Sequence, residues 1–233
     1  MKEGITVVKI GGNVIDDPAV LKRFIADFAA MPGPKILVHG GGKEISRWVG
    51  KVGMEPKFIN GLRVTDQETM EIAEMVLGKV NKSLVQLLEG QGVRAIGISG
   101  KDGGLLNVEK KYSNGEDIGF VGEIKKVDAQ ILHDLLEKDF LPVVCPVGMD
   151  DEFHTYNINA DDAACAIARA MKEAGNKVIA IMGAKTEDIL IMEEEMKAAG
   201  EWARTVLGQE RRQTPAVCES CPSTSNFVRT KKP

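Results

Sequence analysis

Short apolar runs alternate along the chain with segments whose apolar positions recur every three or four residues. This is the pattern of βαβ units and of a largely parallel sheet covered by helices. Ile5 to Ile10 reads as the first buried strand. Asp16-Asp17-Pro18 then supplies a cap and a first-turn proline for a helix that puts Val20, Leu21, Phe24, Ile25 and Phe28 on one side. Lys35 to His39 is a second strand, followed at once by Gly40-Gly41-Gly42 and a helix to about Gly50. A longer helix, capped near Thr65 or Asp66, carries Met70, Ala73, Leu77, Leu84 and Leu88 on one face. Strands over 94–99 and 141–147 enclose a stretch, 105–127, that reads as β-hairpins turning at Ser113-Asn114-Gly115 and Phe120-Val121-Gly122. A helix over 127–138, an alanine-rich helix over 163–173 and a strand over 177–182 complete the regular pattern. Past Met182 it degrades: 192–199 keeps helical spacing, whereas 209–233 has no apolar period and is expected to be poorly ordered. The predicted fold class is α/β, an open, mostly parallel sheet sandwiched by helices with a β-hairpin insertion. Residues 1–182 form the main domain and 183–233 a divergent, partly disordered tail.

With 233 residues, 43% hydrophobic and 27% charged, the chain can bury a core of several layers. Aromatics are only 5%, so that core is built from Val, Ile, Leu, Met and Ala. A net charge of −4 supplies no basic field for nucleic acid, and no apolar run approaches the length of a membrane helix. Neither partner is expected, and the N-terminal residues lack a signal-peptide pattern, which reads as cytoplasmic. Cys145 and Cys165 sit in apolar runs and Cys218 and Cys221 form a lone Cys-x-x-Cys, so a disulfide framework is not expected. Glycine is the unusual figure: 21 of 25 fall at or before Gly148.

Two of the glycine clusters, Gly11-Gly12 and Gly40-Gly41-Gly42, each follow a buried strand and precede a helix, where α/β sheets bind ligands. Glycine lets the backbone approach an anion, and a helix N-terminus offers N–H groups without helical acceptors. Neither cluster matches the Walker or the dinucleotide pattern, and ordinary tight turns are the plain alternative. Lys9, just before Gly11, can reach the same crevice, which suits a transferring phosphoryl group whose oxygens need fixed positive charge. Arg63 is a candidate fork for a substrate carboxylate. Asn157, Asn159 and Asp161 alternate before a helix, a spacing that in an extended segment projects to one side; capping explains one of the three. His39, His133 and His154 are scattered and no metal-ligand spacing is present, so no protein-built metal centre is expected.

Taken in order, Lys9-Ile10-Gly11-Gly12, His39-Gly40-Gly41-Gly42, Asn60-Gly61-Leu62-Arg63-Val64-Thr65, Ser99-Gly100-Lys101-Asp102-Gly103-Gly104 and Asn157-Ile158-Asn159-Ala160-Asp161 resemble the amino acid kinase family, in particular its acetylglutamate kinases. The resemblance runs from about residue 4 to 180. It implies ATP-dependent phosphorylation of the side-chain carboxylate of N-acetyl-L-glutamate, a step of arginine synthesis through acetylated intermediates, with ATP and Mg²⁺. On the resemblance, Lys9 is catalytic and binds phosphate with Gly11 and Gly12. Gly41, Gly42, Arg63, Asn157 and Asn159 bind acetylglutamate, and Asp161 organises the lysines. It also implies that 1–182 is mainly the acetylglutamate-binding lobe with a dimer helix. A homodimer without arginine inhibition is expected, since Lys9 leaves no room for an extra N-terminal helix.

After Met182 the resemblance fails. The family's Thr-Asp-Val-x-Gly type nucleotide loop and Gly-Gly-Met-x-Pro-Lys type segment do not appear; Gly183-Ala184-Lys185-Thr186 stands where the first belongs. Three readings follow: a kinase impaired in its nucleotide half, a non-catalytic acetylglutamate binder or regulatory partner, and a related amino acid kinase. Absence of the covering strands is expected to leave a bare sheet edge.

Overall fold

Ile5-Thr6-Val7-Val8-Lys9-Ile10 alternates its side chains between the two faces of an extended strand, and five of its six residues are buried. A computed structural model describes residues 4–184 and 201–206. After β1 (Ile5–Ile10) come a single turn α1 (Gly12–Ile15), α2 (Pro18–Ala30), β2 (Lys35–His39) and α3 (Gly42–Lys51). A two-stranded hairpin, β3 (Phe58–Ile59) and β4 (Leu62–Arg63), leads to the long α4 (Gln67–Glu89) and β5 (Ala95–Ser99). Then follow β6 (Leu106–Ser113), β7 (Glu116–Val127), α5 (Gln130–Glu137), β8 (Leu141–Cys145), β9 (Val147–Met149), β10 (Thr155–Ile158), α6 (Ala160–Glu173), β11 (Val178–Ala184) and β12 (Glu201–Val206). The caps are those the sequence offers: the Asp17 carboxylate accepts from the Ala19 and Val20 N–H groups, and that of Asp66 from the Thr69 N–H.

Six strands form one sheet in the order β12-β11-β1-β2-β8-β5, every pair parallel. Parallel strands need cover on both faces. Ile5, Val7, Ile36, Val38 and Val144 pack under Ala163, Ala164, Ile167, Ala168 and Met171 of α6. Val8, Ile10, Leu37, Leu141 and Val143 face the other way, onto Ile25 and Phe28 of α2 and Leu84 and Leu88 of α4. The odd-numbered face of β1 therefore lies toward α6, and this puts Lys9 beneath the start of that helix.

The hairpin insertion is more closed than the sequence suggests. β6, β7, β9 and β10 join into a small barrel. Asn114 and Gly115 make the expected turn with φ of 51° and 84°, but Phe120-Val121-Gly122 is no turn. Gly122 pairs with Lys110 on one side and Ile158 on the other, so barrel closure keeps β7 extended. The strand read over 141–147 is split at Pro146, which has no N–H to continue a ladder, and the chain passes there from the large sheet to the barrel. Beyond Met182, β12 pairs with β11 from Ile179↔Glu201 to Ala184↔Val206, so β11, expected to be the bare edge, is covered, and β12 is outermost among the described residues. The helix read over 192–199, Lys185 and the stretch 209–233 lie outside the described residues.

One contact ties the barrel to the segment carrying Arg63. The Thr65 N–H donates to Ile118 O at 2.9 Å and the Phe120 N–H to Thr65 O at 2.6 Å, with Gly119 between them at φ 79°. A Cβ on Gly119 would run into the Thr65 carbonyl and would also be strained at that φ. Gly119→Ala is expected to lower stability by about 2–4 kcal/mol. Urea denaturation measures this, and an unchanged midpoint would contradict the tight approach.

Candidate functional site

The carboxyl ends of β1 and β2 are neighbours, with Ile10 paired to His39, so the two glycine clusters that follow them open onto one crevice. A cleft of about 270 Å³ lies there, lined by Lys9, Gly11, Gly12, Gly40, Gly41, Gly42, Arg63, Asn157, Asn159 and Asp161 among others. Every residue singled out from the sequence for this site thus borders one cavity. Two roomier hollows, of about 460 and 600 Å³, hold none of these residues. The charged groups of the first pair among themselves, and Lys35 and Arg94 of the second donate to backbone carbonyls.

Lys9 Nζ sits 2.8 Å from Asp161 Oδ1, both side chains largely buried. Asp161 occupies the first turn of α6, where the helix dipole favours a carboxylate. This corrects the reading of Asn157, Asn159 and Asp161 as one extended segment. Only Asn157 is on a strand, its side chain opposed to the buried Tyr156 and Ile158 and turned from the barrel core to the cleft. The Asn159 side-chain oxygen instead accepts from the N–H groups of Asp161 and Asp162 at 2.7 and 3.3 Å, which starts the helix and leaves only its amide NH₂ for a ligand.

Helix α3 begins at Gly42 with Gly41 as its N-cap and no side-chain cap. The N–H groups of its first turn therefore have no helical acceptor. A Cβ on Gly41 would stand 2.8 Å from Leu77 Cδ2, so any larger residue there makes the Leu77 side chain shift.

Arg63 arrives by the β3–β4 hairpin, whose Asn60 and Gly61 take φ of 50° and 79°. Phe58 pairs with Arg63 across the strands, and the guanidinium lies 4.7 Å from the Phe58 ring centroid. Its Nη2 donates to Gly42 O at 2.6 Å and Ser46 Oγ at 2.8 Å. Its Nη1, although buried, has no hydrogen-bond partner among the described residues. Burial also lowers the guanidinium's pKa from its ordinary value. An unpartnered buried donor on a cation is costly, and a bound carboxylate would satisfy it.

The sequence reading missed Phe58, Ser46 and Asn81. Asn-Gly at 60–61 signals a two-residue hairpin, and that register alone pairs Phe58 with Arg63. Ser46 stands one helical turn after Gly42. Asn81 carried no signal, since a lone Asn on an apolar helix face names no partner. It donates to His39 Nε2 at 3.1 Å and Val143 O at 2.9 Å.

His39 is wholly buried, and desolvation holds its pKa at about 4 against an ordinary 6.5, outweighing the Gly40 carbonyl that favours the protonated ring. The unfolded chain takes up this proton below pH 6.5 and the folded one only near pH 4, so the contribution is intact above 6.5. It is lost on acidification, about 3 kcal/mol across that window. His39→Gln is expected to flatten this part of the stability curve in chemical denaturation at a series of pH values, and an unaltered slope would contradict the assignment.

Residues 4–181 match the amino acid kinase family. Acetylglutamate kinase of Campylobacter jejuni subsp. doylei is 51% identical over 171 residues, 72% of this chain and 60% of the relative. That of Methanopyrus kandleri is 47% identical over 171 residues, 71% of this chain and 67% of the relative. The chain thus spans about 60% of the length of the Campylobacter relative. A solved structure of N-acetylglutamate synthase from Neisseria gonorrhoeae, complexed with coenzyme A and N-acetyl-glutamate, superposes with a TM-score of 0.67 at 21% identity. It covers 79% of this chain and 42% of that one.

Proposed function

The chain belongs to the amino acid kinase family, and from that premise we propose that it carries the substrate half of an ATP-dependent kinase for the side-chain carboxylate of N-acetyl-L-glutamate. The product would be the acyl phosphate, an intermediate of the acetylated route to arginine. The observation that carries the reading is a cleft lined by the Arg63 guanidinium, whose buried Nη1 has no partner among the described residues, and by the uncapped start of α3. A carboxylate is the group that both favour. Acetylglutamate has a second carboxylate as the phosphoryl acceptor, already ionised at neutral pH, so the chain needs no general base.

Each residue then has a task. Arg63 and the N–H groups of Gly41 and Gly42 hold the α-carboxylate, with the Asn157 amide orienting the acetylated end. Lys9 faces the transferring phosphoryl, and Gly11 and Gly12 offer backbone N–H groups to its oxygens. Asp161 fixes the Lys9 ammonium at 2.8 Å and keeps it in place. ATP supplies the phosphoryl group. Among the described residues no group of three His, Cys, Asp or Glu side chains could hold a metal ion, and Mg²⁺ would come on the nucleotide phosphates that usually supply much of its coordination. No described helix is long and apolar enough to cross a membrane.

We also propose a homodimer. Met75 is 67% exposed on α4, and one turn further a Cβ on Gly78 would meet nothing within 4 Å, a bare spot where a second helix can approach. Met75→Asp is expected to give monomers in sedimentation; an unchanged dimer would place the interface elsewhere.

Incubating the full chain with MgATP, acetylglutamate and hydroxylamine tests the activity. A hydroxamate is expected. A second reading, binding of acetylglutamate without transfer, is favoured by Gly183-Ala184-Lys185-Thr186, which stands where the nucleotide loop implied by the family resemblance belongs. Binding without hydroxamate would select it.

A further inference from the structure

Among the described residues His39 is the largest polar side chain with no exposure at all, and it directly precedes the glycine loop. Its two ring nitrogens have different partners. Nδ1 is 2.9 Å from Gly40 O, and Nε2 is 3.1 Å from Asn81 Nδ2. A carbonyl only accepts, so the Gly40 contact places the hydrogen on Nδ1 and leaves Nε2 to accept from the Asn81 amide, whose nitrogen also lies 2.9 Å from Val143 O and 3.4 Å from Ile98 O. Asn81 reaches this point from the middle of α4 because β5 has a glycine opposite it. A Cβ on Gly97 would overlap the Asn81 side-chain oxygen.

A peptide unit is planar and trans, with its C=O and N–H pointing in opposite directions. The Gly40 carbonyl is drawn down to a ring in the core, so the N–H of Gly41, in the same peptide plane, is turned away from the core. Gly40, Gly41 and Gly42 all border the cleft on that side. We infer that His39, held by Asn81, is a positioning residue that aims the Gly41 N–H into the cleft at the anionic substrate. This inference rests on the acetylglutamate reading of that cleft. It gives a purpose to two polar side chains spent in the core where apolar ones would pack without needing partners.

His39→Gln can keep a donor for Gly40 O and an acceptor for Asn81, whereas His39→Leu keeps neither. Titration calorimetry of the full chain with N-acetyl-L-glutamate is expected to show the Gln variant within about threefold of the unaltered chain and the Leu variant weaker by about 10- to 100-fold, the worth of a hydrogen bond to a charged group. A ring that merely fills space predicts equal affinities. Nitrogen-15 NMR of the imidazole in the unaltered chain, which needs no variant to fold, is expected to show hydrogen on Nδ1 at neutral pH. Hydrogen on Nε2, a Leu variant that binds like the unaltered chain, or a Gln variant as weak as Leu would each overturn the inference. An unaltered chain that binds no acetylglutamate would overturn the reading beneath it, and the inference with it.

Discussion

Replacing Lys9 by methionine is expected to lower acyl phosphate formation by about 10²- to 10³-fold while leaving acetylglutamate affinity within about threefold. The reason is geometric. Lys9 and Asp161 are paired at 2.8 Å where the carboxyl end of β1 meets the start of α6, away from the Arg63 guanidinium's own partners, Gly42 and Ser46. On the proposed reading the ammonium meets the charge that develops during transfer, and methionine keeps the stem without the charge. Asp161→Asn should fall in the same direction but less far, because the cation stays and only its orientation loosens. Hydroxamate formation under saturating substrates checks both. A Lys9→Met variant that loses acetylglutamate binding instead would mean that Lys9 holds the substrate and not the phosphoryl group.

The second large effect is expected from Arg63. Arg63→Ala removes a buried cation with a vacant donor and should weaken acetylglutamate binding by about 2–3 kcal/mol, or about 30- to 150-fold. Arg63→Lys should recover little of it, since one ammonium cannot reproduce a planar fork that already uses Nη2 on Gly42 and Ser46 and holds a buried second arm in a residue lining the cleft. Calorimetric titration of the three proteins decides this. Equal affinities across them would make Arg63 a prop for the β3–β4 hairpin alone.

Much of this was legible before any coordinates. The strand-glycine-helix order gave both loops at the carboxyl end of the sheet, and the period-2 alternation of β1 is enough to put Lys9 on the same face as Val7. What the sequence leaves open is what depends on partners distant along the chain. Gly122 reads as a turn residue until strands on both sides hold it extended. Asn159 reads as a ligand until its side chain is found capping α6. Asn81 and His39 are 42 residues apart, and no spacing rule joins them. The strand β12, likewise, carries no apolar period of its own and is defined by its pairing with β11.

The central claim is that this cleft is built for a dicarboxylate of the acetylglutamate kind. Isothermal titration of the full chain with N-acetyl-L-glutamate, beside N-acetyl-L-glutamate amidated at its α-carboxyl, tests it most directly. Saturable one-to-one binding that the amidation weakens by at least about tenfold is the predicted result, since the amide cannot satisfy Arg63 as an anion does. No binding of acetylglutamate, or equal binding of the two compounds, would contradict it.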